Sequence, residues 1–300
     1  MIRMNKIIDK LTYKILSRWK YYIRTKEKKK ARNKILTYYS QTPSNSKEIS
    51  DAVQYISSHP LTTFFGVFQE KYLADKVKVY TDHTNGLPYV ITDSKKLYFK
   101  RSHNKRTVQL MFNSLIIEQD DHSPHCYTDN DFQVINDEIL ADIGCAEGYF
   151  SLINIEKSKK VYLFEHDTEW IEALEATFTP WKDKIRIIPK FVSDKNNSNE
   201  ISLDNYFMEI DEKPSFYKID VEGAEASVLK GMKVLLREPV KVALCTYHNH
   251  HDYDIFSRFF EDNLFHYRPN SGVMIYQNDL KRMEPPFFRK CMIKATNQYD

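Results

Sequence analysis

The sequence predicts an α/β protein: a doubly wound, mostly parallel sheet with an N-terminal helical arm and a small α+β cap. Three observations lead there. From Glu138 onward, short runs rich in β-branched and aromatic residues alternate with segments of helical period. The first of these runs ends in Asp142 and a glycine turn, "ADIGCAEGYF", which opens a helix. Charge is also unevenly distributed. Residues 1–34 hold 13 Lys+Arg against 2 Asp+Glu, or +11, so residues 35–300 hold 31 against 39, or −8. An acidic body thus carries a basic arm.

Taken in order, residues 4–23 place Met4, Ile7, Ile8, Leu11, Ile15, Leu16, Trp19, Tyr22 and Ile23 at helical spacing, with lysines and arginines between them. The pattern predicts a basic amphipathic helix over residues 1–40, docked on the body or on a partner subunit. Peripheral contact with an anionic membrane through residues 1–34 is the alternative. "QTPSNS" is a linker whose serines can cap a helix near 47–57. The runs "KVKVY", "LPYVI" and "KLYFK", separated by turn formers, predict a small hairpin or meander, and a helix follows near 104–117. Residues 41–130 therefore read as an α+β cap, and 131–300 as the main domain.

In that domain "EILADI", "KVYLFE", "KIRIIP", "SFYKID" and "VKVALCTY" read as strands. Helices are expected over 149–156, 168–177, 224–236 and 254–262. "FHYRP" and "GVMIYQ" around "NSG" complete a seven-stranded sheet with a late hairpin, which suits an antiparallel edge. The four cysteines show no metal spacing and read as free thiols of a reducing compartment. With no long apolar run and no signal-peptide core, the chain is expected in the cytoplasm, with the inner face of the membrane as its alternative site. A body of −8 would repel a phosphate backbone, so no nucleic-acid partner is expected.

In an open α/β sheet the ligand lies beyond the carboxyl ends of the strands, at the switch point. A dinucleotide pyrophosphate asks for G-x-G-x-x-G, whereas here the spacing is Asp142-x-Gly144-x-x-x-Gly148, with Cys145 and Glu147 inside the turn. Acids beside a turn suit a cationic ligand without phosphates, which describes S-adenosylmethionine. Gly144 would let the backbone approach that ligand, and Gly148 would permit close helix-to-strand packing. Glu165, with His166 after it, would accept the ribose hydroxyls. Asp194 would accept the adenine amino group, and the Ser193 or Asp194 amide would face a ring nitrogen. An NAD-dependent oxidoreductase and a non-catalytic binding module are the competing readings.

The stretches "LADIGCAEGYFSL", "VYLFEHDTEWIEAL", "SLDNYF" and above all "KIDVEGAEASVLKGM" resemble the FkbM family of S-adenosylmethionine-dependent methyltransferases. The resemblance covers about residues 120–292. "EQDDHSPHCY", "CTYHNHHD" and "PPFFRK" are similar to a bacterial branch found beside surface-polysaccharide genes. The resemblance implies a class I methyltransferase fold, Rossmann-like, and methyl transfer to a hydroxyl, commonly of a sugar or a polyketide. A carbohydrate or glycolipid acceptor is the partner so implied.

Transfer to an alcohol needs a base for its proton. His248, directly after the fifth strand, and Asp220, at the end of the fourth, are the candidates. His125, Tyr127, Glu222, Glu225 and His250 are expected to contact the acceptor. No resident metal is expected, although Asp220, Glu222 and His248 together could hold a divalent ion.

Overall fold

The computed structural model describes residues 2–281 and 283–298, with side chains described from residue 22 onward except residue 279. The chain divides into two compact units, residues 1–66 with 272–289, and residues 67–271 with 290–300. The segment expected to form one cap, 41–130, is thus shared between the two units.

In the first unit, α1 (Ile2–Gln41) and α2 (Lys47–Ser58) enclose a small core. Ala31, Ile35 and Tyr39, spaced four apart on α1, meet Ala52 and Ile56 of α2 and Val273, Ile275, Phe287 and Phe288 of the returning segment. Arg32 donates to the carbonyls of Ile56, Ser57 and His59, which the end of α2 leaves unpaired. The amphipathic face expected over 4–23 lies outside the described side chains, except for its last two residues.

The second unit opens with an antiparallel meander, β1 (Tyr80–Thr81), β2 (Pro88–Thr92) and β3 (Lys95–Tyr98). Next comes α3 (Lys105–Glu118), whose N-cap Asn104 accepts from the Thr107 amide. The alternating part then supplies β4 (Glu138–Ile143), α4 (Tyr149–Asn154), β5 (Ser158–Phe164), α5 (Thr168–Phe178) and β6 (Ile185–Ile188). A short parallel pair, β7 (Phe191–Val192) and β8 (Glu200–Ile201), precedes α6 (Leu203–Glu209). The rest is β9 (Phe216–Ile219), α7 (Glu225–Lys230), β10 (Lys241–Cys245), α8 (Asp252–Asp262), β11 (His266–Pro269) and β12 (Met292–Thr296).

The main sheet has seven strands in the order β11-β12-β10-β9-β4-β5-β6, with β12 antiparallel to both its neighbours. It is the doubly wound, mostly parallel sheet that the sequence predicts. The switch point falls between β4 and β9, because the chain leaves β4 for β5 on one side and returns to β9 on the other. Side chains alternate across the strands. Ala141, Ile143, Tyr217, Ile219, Val242 and Leu244 face one core with Phe207, Leu229 and Phe260. Asp142, Lys218 and Cys245 therefore belong to the opposite face.

Two expectations are corrected. "GVMIYQ" is not a strand of the sheet: among the described residues Met274 makes isolated bridges alone, to Phe64 and Arg289. The last strand is "MIKAT", whose Lys294 is an unusual core residue held by Asp129 at 2.6 Å. The helix expected over 224–236 stops after Lys230. At Gly231 a Cβ would lie 2.1 Å from Ser193 O, so the chain must pass there without a side chain.

Asp129 also accepts from Arg268 at 2.7 Å and so ties the loop before β4 to β11 and β12. Burial alone would raise its pKa, but Arg268 and Lys294 outweigh that and hold it down at about 2. A depressed carboxylate stabilises the fold above its unfolded pKa, and that stability is lost as pH falls through the folded value. Asp129→Asn should lower the unfolding free energy by about 1–2 kcal/mol at pH 7. In denaturant titrations the difference from wild type should shrink between about pH 4 and pH 2. A difference constant over that range would contradict the assignment.

Candidate functional site

The carboxyl ends of β4, β5 and β9 border a cleft of about 410 Å³. Its walls include Gly144, Ala146, Glu165, His166, Phe191, Asp220 and Glu222. Its size is that of a small-molecule site.

The glycine turn is closed on itself. The Gly144 and Cys145 amides both donate to Phe164 O, at 3.0 and 3.3 Å, and the Gly148 amide donates to Cys145 O at 2.7 Å. The Ala146 amide donates to Glu165 Oε2 at 3.1 Å. These four amides are consumed internally, so they offer no cradle to a phosphate. Gly144 has φ +72°, and a Cβ there would lie 2.0 Å from Asp220 O. Its need for glycine comes from the close approach of β4 and β9. Gly148 is also left-handed, and a Cβ would press on Leu174 and Phe178 at 2.7 and 2.9 Å. It makes room for α5 rather than for a strand.

Glu165 is the best-anchored acid of the cleft. Its Oε1 accepts from the His166 and Asp167 amides, both at 2.8 Å, and its Oε2 from Ala146. The three amides fix the carboxylate while leaving further lone pairs for a ligand. Beside it, the His166 ring stacks on Phe191 at 3.7 Å, which gives the cleft a flat aromatic wall.

Asp142 does not line the cleft. On the face covered by α4, its Oδ2 accepts from Ser151 Oγ at 2.7 Å and its Oδ1 lies 3.1 Å from Lys218 Nζ. Lys218 is its register partner on β9 and also donates to Gly144 O at 2.7 Å. Burial alone would lower the Lys218 pKa, but Asp142 and Asp220 reverse this and raise it, so the ammonium is kept. Cys145 is buried behind the turn, and burial pushes its thiol up. Burial likewise raises the enclosed Glu147 to about 7.

Ser193 and Asp194 are also turned to other tasks. The Ser193 amide donates to Ile201 O at 3.0 Å, and Asp194 Oδ1 accepts from Ser227 Oγ at 2.7 Å. Neither lines the cleft, because β7 and β8 pair here and draw the chain away from its mouth.

Around Asp220 the structure gathers residues from distant segments. Tyr127 donates to its Oδ2 at 2.9 Å and Tyr247 to its Oδ1 at 3.3 Å. His125 Nε2 lies 3.8 Å from Oδ2 and His248 Nε2 3.5 Å from Oδ1. The loop carrying His125 and Tyr127 is held by Asn270, which donates to Pro124 O and Cys126 O. Burial would raise the Asp220 pKa, but its charged and hydrogen-bonding neighbours, the Lys218 ammonium foremost, outweigh it, so the carboxylate stays ionised.

His248 Nδ1 is 2.8 Å from Glu225 Oε1, and Glu222 lies 3.6 Å from its Nε2. Burial pulls the imidazole pKa down, but Glu225, Asp220 and Glu222 together raise it. Glu225 is fully enclosed, at 0% exposure, and also accepts from the Val221 and Gly223 amides. It orients His248 and is not placed to meet an acceptor. Glu222 is the opposite case: its left-handed backbone, φ +55°, leaves the side chain 79% exposed at the rim. His250 is exposed and packs edge-on against His251.

Sequence reasoning passed over Lys218, Tyr247, Cys245 and Phe191. Lys218 left a signal, a lone charge inside the apolar strand "FYKID". The others look like ordinary core residues until the chain is folded.

Residues 133–268, just under half of the chain, match the model of the methyltransferase FkbM domain. That segment carries the glycine turn, Glu165, Asp220, Glu225 and His248. Among solved structures, the methyltransferase FkbM from Methylobacillus flagellatus KT is similar at 19% identity with a TM-score of 0.45, over 64% of this chain and 54% of that one. The chain thus spans about half the length of that protein. An rRNA methylase from Streptococcus thermophilus is similar at 13% identity and a TM-score of 0.38, over 56% and 90% of the two chains. The precorrin-6y C5,15-methyltransferase of Geobacter metallireducens GS-15 follows at 9% and 0.37, over 54% and 82%. Among curated proteins none matches. The domain match, over the segment that builds the cleft, supports a methyltransferase.

Proposed function

We propose that the chain uses S-adenosylmethionine to methylate a hydroxyl, with a sugar or glycolipid as the acceptor. The observation that carries this reading is the closed glycine turn beside an anchored acid. Its amides are spent on Phe164, Cys145 and Glu165, and carboxylates border the cleft. A pyrophosphate would find repulsion there, whereas a cation with a ribose and a flat base finds complementary groups.

The donor set fits that cofactor. Glu165 would hold the ribose hydroxyls, the His166–Phe191 pair would flank the adenine, and Asp220 would attract the positive end. When bound, S-adenosylmethionine supplies an activated methyl on a sulfonium, so the protein is left with binding, orientation and one proton. In its neutral form His248 would direct its Nδ1 proton to Glu225 and keep a lone pair on Nε2, although the surrounding carboxylates favour the imidazolium. As the acceptor oxygen gains the methyl, its hydroxyl proton passes to that Nε2. Glu225 acts through His248 and is a positioning residue. Tyr127, Tyr247 and His125 form the polar wall next to Asp220 and suit a hydroxyl-rich acceptor. The basic residues of the arm suit an anionic membrane surface, where glycolipid acceptors are found.

Isothermal titration should show S-adenosylmethionine binding to the wild type, no binding of NADH, and affinity reduced by about tenfold or more in Glu165→Ala. Binding of NADH in place of S-adenosylmethionine would overturn the reading. With labelled S-adenosylmethionine and a panel of sugar acceptors, His248→Ala should lose about 10²–10⁴ in turnover. Glu225→Gln should lower kcat while leaving donor affinity unchanged. An unaltered rate in His248→Ala would remove the base.

A further inference from the structure

On the face of the sheet opposite the main core, the loop before β4 and the ends of β9 and β10 bring three different metal-ligating atoms together. His125 Nε2 lies 3.7 Å from Cys245 Sγ and 3.8 Å from Asp220 Oδ2, and the three donor atoms all fall within 4.8 Å of one another. We propose that His125, Asp220 and Cys245 form a binding site for a divalent transition-metal ion of the zinc type.

Geometry carries the proposal. Zinc bonds of about 2.0–2.3 Å in a tetrahedral arrangement put neighbouring ligand atoms roughly 3.3–3.6 Å apart. The 3.7 and 3.8 Å separations from His125 are within tenths of an ångström of that range, and the Cys245–Asp220 pair, within 4.8 Å, would close by about 1 Å at most. One nitrogen, one thiol sulfur and one carboxylate oxygen form a donor set that borderline-soft ions take, and calcium or magnesium would not accept the sulfur.

The surroundings agree. Burial holds His125 well below the ordinary histidine range, at about 4, so its imidazole is neutral as a ligand must be. Metal binding would displace the buried Cys245 proton. A dication with a thiolate and a carboxylate is then neutral overall, which suits an enclosed position. Lys218 is the cation that faces this cluster, and Asp142 pairs with it at 3.1 Å. Tyr127 donates to Asp220 and would orient the carboxylate from outside the ligand set. Three protein ligands leave a fourth position open, the arrangement of catalytic rather than structural zinc. The ligands come from three remote segments, which is why no spacing in the sequence announces them.

The test uses the full chain stripped of metal by a chelator, without methyl donor or acceptor, so its result is separate from that of the donor titration. Cobalt(II) added as a zinc substitute should bind near one equivalent and give a near-ultraviolet thiolate charge-transfer band with tetrahedral visible bands. Zinc should displace it. The band should vanish in Cys245→Ser, persist in Cys126→Ser, and require at least about tenfold more cobalt in His125→Gln. If Cys245→Ser fails to fold, His125→Gln decides between the site and another thiol. Absence of a thiolate band in the wild type, or its persistence in folded Cys245→Ser, would overturn the proposal.

Discussion

The arrangement of the site depends on one buried cation. Lys218 sits in the middle of an otherwise apolar strand at the switch point of the sheet, and only its surroundings make that position tolerable. Asp142 pairs with it from the neighbouring β4, Gly144 O accepts a hydrogen bond from its ammonium, and Asp220 follows just past the end of the strand. An ammonium out of water costs several kcal/mol unless it is paired and hydrogen-bonded. Here pairing also does structural work at the cleft: it tethers the glycine turn to β9, where Gly144 and Asp220 pass so closely that no Cβ fits between them.

From that tether the division of roles follows. Acids that look equivalent in the sequence are separated by what lies behind them. Asp142 and Glu225 are spent on buried partners, Lys218 and His248, and act by holding those partners in place. Glu165 and Asp220 are anchored yet border the cleft. The first type gives rigidity and the second gives charge, and the proposed cationic ligand would draw on both. The hydroxyls of Tyr127 and Tyr247 extend the polar cluster around Asp220.

Much of the fold was legible because the change from period two to helical period is written locally. Apart from β7, β8 and α6, the order of strands and helices from Glu138 to Asp262 came from that rhythm, and the glycine turn with Glu165 marked the strand ends to inspect. The course of 272–289 was not legible. Its apolar residues look like a strand, but they are buried against α1 and α2, and such a choice is set by long-range packing. Nor could spacing tell which way an acid points. A single step along β4 moves Asp142 from the tip to the α4 face, toward a lysine 76 residues later in the chain. Ser193 and Asp194 were misplaced for the same reason, since the pairing of β7 with β8 engages them elsewhere.

The most direct measurement is the unfolding free energy and S-adenosylmethionine affinity of Lys218→Met, alone and combined with Asp142→Leu. The single change leaves a buried carboxylate uncompensated, and should cost about 3–5 kcal/mol and weaken the donor through the loosened turn. The double change removes both charges, so it should recover most of the stability but not the affinity, because Gly144 O still lacks its donor. Additive losses in stability, or a single mutant that binds the donor as wild type does, would contradict the central place given to this ion pair.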